Sequence, residues 1–471
     1  MRSVPAQKAW VEMSTITAAA ALEALVEGPV FGPGSPGFAD ARRAWNLAVD
    51  QHPAAVVFPR SAADVAAVLR FARSHGQRVA AQGTGHNAGP LGPLEDTILV
   101  KTELMGGMRI DPERRLARAE AGVIWGDVVA AAGRSGLAAL AGSSPDVGVV
   151  GYTLGGGLSH LGRRYGLAAN WVRALEVVTA DGQLIRTGPD REPDLFWALR
   201  GGGGAFGIVT AVEFDLFPLV SAYAGTLWYP LERGAKVFRT WSELTQATLP
   251  DDLTTVARVV RFPPAPEIPE PIRGQSFVVV AVYHIGDPAL ADQLLSPLRA
   301  HQPINDTVQV IPASTLSSVF PDPHGPIAYI GDSLMLTELP PDAVDALVRV
   351  TVDDEASPLT SVEFRHLQGE LGRSRPGDGA ASAIDASYVM YAVGMTPFPD
   401  LEAPVRVNLD LVKDALRTWR DPHMFMNLSE TPEPPERLWA AAIYCRLQRV
   451  KSLFDPDDII QANHPVSPQA G

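Results

Sequence analysis

The chain has 471 residues, a net charge of −14 and a hydrophobic fraction of 46%. That length calls for more than one core, the charge excludes a nucleic-acid-binding surface, and the hydrophobic share belongs to a folded chain, not a disordered one. The single cysteine, Cys445, excludes an internal disulfide, a cysteine metal cluster and a CxxC redox pair, and reads as a small core residue.

The N-terminus lacks the charged, apolar and cleavable parts of a secretory signal. Residues 17–26 are alanine-rich but interrupted by Glu23, so they read as an amphipathic helix, and Met13 is a candidate natural start. No run of about 18 apolar residues, the length of a membrane span, occurs. A cytoplasmic protein with neither a membrane nor a nucleic acid as partner is expected.

From residue 55 to 220, short apolar runs alternate with helices and glycine turns. Residues 56–58 read as a strand. Ser61 then caps a helix with Asp64 at the third position, and Val65, Val68, Leu69 and Ala72 form its apolar face. Gly76 stops that helix, and residues 79–81 and 97–100 are further strands. Asp181-Gly182 between runs 175–179 and 183–186 is a two-residue hairpin signal. Residues 208–216 close the segment as a strand.

Beyond about 220, proline clusters alternate with long β-like runs. The best strands are 275–283, 327–337, 361–367 and 387–393, with helices over 341–350 and 405–419. An antiparallel sheet with helices on one face makes the fold class α+β. A last amphipathic helix over 438–450 breaks at Phe454-Asp455-Pro456. The expected organisation is an N-terminal helical segment (1–50), a first domain (51–219), a second domain (220–437), and a C-terminal helix and tail (438–471) that return to the first.

Chemistry is concentrated in four segments. After the second strand come Gln82-Gly83-Thr84-Gly85-His86-Asn87, a histidine in a glycine turn. Glycines there let backbone N–H groups approach an anion. The stretch 141–157 carries Gly142, Gly148, Gly151, Gly155, Gly156 and Gly157, more glycine than a surface loop needs and suited to backbone around a flat ligand. A short helix at 194–200 runs into four glycines and a buried strand, and the tail over 454–466 is the fourth segment. No phosphate loop, zinc helix or nucleophile elbow is present, and no metal is expected.

In this order and spacing, the four segments resemble the flavin-linked oxidases of the vanillyl-alcohol-oxidase/PCMH superfamily, specifically the berberine-bridge-enzyme-like group. The resemblance covers nearly the whole chain and is strongest at 55–217 and 444–466. It implies a PCMH-type FAD-binding domain under an antiparallel substrate domain. It also makes His86 an 8α-histidyl attachment site for FAD, with Gln82, Gly83, Thr84, Gly85 and Asn87 around the cofactor. Bicovalent members carry a cysteine in a Gly-x-Cys-Pro turn. Here the turn is Gly142-Ser143-Ser144-Pro145, so FAD is expected to be attached once, through His86 only.

Val147 resembles the family's oxygen gatekeeper, with plain packing as its other reading. Tyr152 stands where many relatives have a histidine near flavin N1, and is open to a purely structural role. Gly148, Gly151, Gly155, Gly156, Ile208, Val209 and Asn463 complete the implied cofactor contacts; His464 follows where glutamine is common.

Oxidising an alcohol or amine also needs a positioned base. Ser387 stands where plant-type relatives have glutamate. Tyr388, Tyr391, Glu363, His366 and Asn427 lie on or beside second-domain strands, of which Tyr388 and then His366 are favoured as the catalytic group. The expected activity is hydride transfer from an alcohol, amine or sugar-like small molecule to FAD, with O2 as acceptor and H2O2 as product. A dehydrogenase using another acceptor and a flavin-binding protein without turnover remain alternatives.

Overall fold

Short apolar strands joined through a capped helix fold as a parallel pair, because the helix must cross back over the sheet. The computed structural model describes residues 18–320, 322 and 325–469. The candidate start at Met13 lies outside the described residues, as does the first residue of the helix expected over 17–26.

Strand Ala55–Val57 leads through helix Ala62–His75 into strand Arg78–Gln82, and Thr97–Lys101 inserts between the two strands. Ser61 caps the helix by accepting the Asp64 N–H at 3.3 Å, and Gly76 ends it with φ at 65°. Val65, Val68 and Leu69 are fully buried against the sheet. This sheet has five strands, and its far edge is Ile460–Gln461 from the C-terminal tail, paired in parallel with Arg78–Gln82. The tail thus packs beside the strand that delivers the Gly83–His86 turn.

A second five-stranded sheet is antiparallel, in the order Met108–Asp111, Leu116–Glu120, Ile208–Asp215, Val172–Val178 and Leu184–Thr187. The Asp181-Gly182 hairpin joins the last two, with Gly182 at φ 77°. The largest sheet has eight strands, all antiparallel. Its path runs Asn305–Asp306, Ser221–Pro230, Ser276–His284, Leu253–Arg261, Ser361–His366, Tyr388–Met395 and Tyr329–Leu336, with Gln309–Pro312 also on Ser221–Pro230. Helices Gly234–Gln246, Pro288–Arg299, Pro341–Thr351 and Glu402–Ala415 cover one face, over a core that includes Phe238, Trp241 and Phe364. The architecture is α+β.

Two details depart from the sequence reading. The last helix runs Ala441–Phe454, because Pro434 and Pro435 shape only a short turn and Trp439 is extended at φ −139°. Cys445 is exposed on that helix, whose buried face is Leu447, Val450 and Lys451, so it is not a core residue.

Candidate functional site

The Gly83–His86 turn is clamped from the N-terminal side. Gly85 has φ 88°, and a Cβ there would stand 2.8 Å from Gln82 Nε2 and 3.0 Å from Ala44 Cα, so only glycine fits. The Trp45 N–H donates to the Thr84 carbonyl at 3.0 Å. Its indole stacks on the His86 ring with centroids 4.1 Å apart and planes at 19°. The indole N–H donates to Asp146 Oδ2 at 2.7 Å. Asp146 Oδ1 lies 3.3 Å from His86 Nε2, and neither atom has a hydrogen-bond partner.

Burial works against ionisation of Asp146, but His86 and the Trp45 indole outweigh it and bring the carboxyl down to about 2. Because the folded value is depressed below the ordinary 3.8, Asp146 stabilises the fold above that ordinary value, and the contribution disappears as pH falls through the folded one. Asp146→Asn is therefore expected to cost on the order of 2 kcal/mol at pH near 6 and almost nothing at pH near 2. Urea unfolding of both proteins across that range checks it; a pH-independent gap would mean the carboxylate is not the source.

Around the same turn, both amide atoms of Gln82, Asn87 Oδ1, His86 Nε2 and Asp146 Oδ1 are buried without a partner. Buried polar atoms are nearly always bonded, so this concentration marks a place built to receive a polar ligand. An FAD fits it: the unpaired amide and imidazole groups offer it both donors and acceptors. Gly148 lies beside the turn, its added Cβ 3.9 Å from the Thr84 nitrogen, and Gly151 faces open space. Ser143, Ser144 and Val147 are half-buried on the same segment as Asp146. Ser143 Oγ accepts from Arg365 at 3.4 Å, linking this segment to the large sheet.

Other residues expected at the cofactor are occupied by the chain itself. The Tyr152 hydroxyl donates to the Leu140 carbonyl at 3.0 Å, and Gly142 makes room for the Tyr152 ring. Gly155 and Gly156 seat the 425–427 segment: an added Cβ would meet Asn427 Nδ2 at 2.6 Å and the Phe425 ring at 3.4 Å. Asn427 locks this contact, donating to the Tyr152 carbonyl at 3.1 Å and accepting the Gly157 N–H at 3.0 Å. Ile208 and Val209 point into two apolar cores. Asn463 accepts the N–H of His464 at 3.0 Å, and burial pushes fully buried His464 down to about 4.

Tyr388 and His366 face away from this site. In the antiparallel register Tyr388 lies opposite His366, and Tyr391 opposite Glu363. Directly opposed residues share a face, and neighbours along a strand alternate. The Tyr388 hydroxyl meets Thr245 Oγ1 at 2.9 Å beneath the helices, where His366 stands 3.1 Å from Gln368 Oε1. Burial and the Arg163 charge push His366 down to about 3, too weak a base for neutral pH. The opposite face carries Tyr391, Glu363 and Arg365.

On that face the Tyr329 hydroxyl lies 3.1 Å from the His86 carbonyl and 3.1 Å from Glu430 Oε1, and Tyr391 donates to the same carboxylate oxygen. Trp45, Asp146, Tyr329 and Glu430 were not singled out by the sequence reading. Alternation of Glu363 and Arg365 with Val362 and Phe364 was the available signal for the polar face, and pairing puts Tyr391 on it.

Residues 53–188 match the FAD binding domain family. The chain is 28% identical over 461 residues to (R)-6-hydroxynicotine oxidase of Paenarthrobacter nicotinovorans, covering 94% of this chain and 97% of that one. The crystal structure of 6-hydroxy-D-nicotine oxidase from Arthrobacter nicotinovorans superimposes with a TM-score of 0.80 at 25% identity, over 94% of this chain and 98% of that one. Berberine bridge enzyme from Eschscholzia californica shares the fold, with a TM-score of 0.80 at 18% identity, over 97% and 99%. Domain match, full-length similarity and the turn together define an FAD-linked oxidoreductase. More narrowly, the chain is similar over nearly its whole length to the 6-hydroxynicotine oxidases and has the fold of berberine bridge enzyme. Among the described residues no helix is long and apolar enough to cross a membrane.

Proposed function

We propose that the protein is an oxidase that takes a hydride from an alcohol, amine or sugar-like small molecule, uses O2 as acceptor, and carries FAD on one covalent bond to His86. The observation behind this reading is the His86 turn: a ring stacked on Trp45, with an unbonded nitrogen beside a carboxylate. Gln82, Gly83–Asn87 and the 143–151 segment would hold the cofactor. Bound FAD supplies a two-electron acceptor that returns its electrons to oxygen as H2O2.

Trp45 fixes the ring plane of His86, and Asp146 stands 3.3 Å from its Nε2. His86 would offer its ring nitrogen to the 8α carbon of FAD, with the two electrons and two protons released on attachment going to O2. Imidazole nitrogen is nucleophilic enough for this. The Ser144 hydroxyl is far too weak an acid to replace a thiolate, which supports single attachment. Val147, half-buried beside Asp146, supports oxygen access through its small side chain.

Acid precipitation of the purified protein is expected to give a yellow pellet, and His86→Ala a colourless pellet with yellow supernatant. A colourless wild-type pellet would refute the covalent bond while leaving FAD binding intact. A panel of 6-hydroxynicotine, simple alcohols, amines and oligosaccharides, read by flavin bleaching and peroxide release, tests turnover. Sluggish reoxidation of reduced protein by air would favour a dehydrogenase.

A further inference from the structure

Several carboxylates in this chain have cationic partners, whereas buried Asp64 is held by the N–H groups of Glu27 and Arg60. Glu363 is held by Arg258 and Arg365, Asp455 by Lys451, and Asp332 by Lys413. Glu430 is held differently: among the described residues it has no cation within ion-pair distance, and Oε1 is held by two tyrosine hydroxyls. Two glycines make the space. A Cβ on Gly331 would stand 2.7 Å from the Tyr391 hydroxyl and 3.2 Å from Glu430 Oε1, and one on Gly89 would stand 2.5 Å from the Glu430 carbonyl.

The cluster is one hydrogen bond from the turn, through the Tyr329 hydroxyl and the His86 carbonyl. Protein atoms surround the carboxyl, while Glu430 and Tyr391 are half-buried as whole residues. Tyr329 divides its hydroxyl between two acceptors, whereas the Tyr391 hydroxyl has Glu430 as its protein partner.

We propose that Glu430 takes up, through the Tyr391 hydroxyl, the proton that the substrate's O–H or N–H group gives up on oxidation. This rests on the oxidase reading above. The substrate proton bonds to Tyr391 Oη as the Tyr391 proton moves to the Glu430 carboxylate, so the tyrosine ends unchanged and Glu430 neutral. The hydride leaves the same substrate for FAD, and a carbonyl or imine remains. Glu430 then returns its proton to solvent.

Ionisation of the group is placed where this needs it. Burial, the largest influence, raises the Glu430 carboxyl; the Tyr391 and Tyr329 hydroxyls lower it and the Asp332 charge raises it, for a value of about 7. Asp332 is itself paired with Lys413 on helix Glu402–Ala415, and the turn side contributes His86 and Asp146. Raised above the ordinary 4.5, Glu430 favours the fold below that ordinary value, and this contribution is lost as pH rises through the folded one.

The holoprotein and its Glu430→Gln, Glu430→Asp and Tyr391→Phe variants provide the test. Urea unfolding as a function of pH reads the carboxyl without turnover. Wild type is expected to lose stability between the ordinary carboxyl range and neutrality, and Glu430→Gln to lose that slope. Anaerobic flavin bleaching by the fastest substrate of the panel is expected to rise in wild type with a midpoint near 7. Glu430→Gln and Tyr391→Phe should slow it by about a hundredfold or more, with Glu430→Asp partly restoring rate at a shifted midpoint.

Wild-type bleaching and pH profile in Glu430→Gln overturn the proposal, and so does a wild type without the unfolding slope. If Glu430→Gln does not fold, full-rate bleaching by Tyr391→Phe overturns it equally. A wild type that holds no flavin defeats the functional reading instead.

Discussion

Lys451→Met is expected to destabilise the protein by about 3–5 kcal/mol, because it strips one partner from a fully buried ion pair. Lys451 and Asp455 both have fully buried side chains. The ammonium donates to the Asp455 carboxylate at 2.5 Å and to the carbonyls of Ala205 and Ile460 at 2.9 and 3.1 Å. Asp455 in turn accepts the N–H groups of Ile459 and Ile460. One cation therefore ties the last helix, the glycine-rich 201–207 segment and the tail strand. Losing it leaves a carboxylate in apolar surroundings and two carbonyls without donors.

The tail strand pairs with Arg78–Gln82, which leads into the His86 turn, so the same variant should also open the tail to proteolysis. Urea unfolding gives the first effect and limited digestion the second. Lys451→Met combined with Asp455→Leu should regain much of the stability, since no charge is then stranded. Failure to regain it would place the loss in the carbonyls and N–H groups that the pair had satisfied.

What the sequence made legible follows from how local the physics is. The Ser61 cap, the Gly76 stop and the Asp181-Gly182 hairpin depend on a few adjacent residues and appear where expected. Strand Leu253–Arg261 was missed because helices bury one face and the other lies against the first half of the chain. All nine of its residues are buried, so no alternation marks it. The His86 turn was readable from its glycines, but Trp45 and Asp146 were not, because stacking across tens of residues leaves no periodic trace.

Tyr388 against Tyr391 was a register question. The polar alternation of Glu363 and Arg365 answers it only once the pairing of the two strands is known. Glu430 lies among prolines, in a stretch that reads as plain loop, and only the fold brings it to the tyrosines.

Glu363→Gln is the second large effect expected, again about 3–5 kcal/mol, and it reaches the site directly. Burial opposes ionisation of Glu363, but the Arg258 and Arg365 charges outweigh it and hold the carboxyl below its ordinary range. Arg258 meets it at 2.7 Å and Arg365 at 2.6 Å. Neutralising Glu363 leaves two guanidinium groups in the interior with poor alternatives. Arg258 retains Asp322 at 3.4 Å and the Phe320 ring at 3.5 Å, while Arg365 retains Ser143 at 3.4 Å. Freed from its carboxylate, Arg365 should turn toward Ser143, on the segment that holds Asp146 beside His86.

The variant should therefore combine a lower urea midpoint with a perturbed flavin absorption spectrum. Arg365→Met in the Glu363→Gln background separates the causes. Removing the stranded charge should recover stability and spectrum together if electrostatics is responsible. Recovery of neither would show that the carboxylate acts through the Arg258 side of the cluster, where the Tyr283 ring stacks on His160 at 4.0 Å.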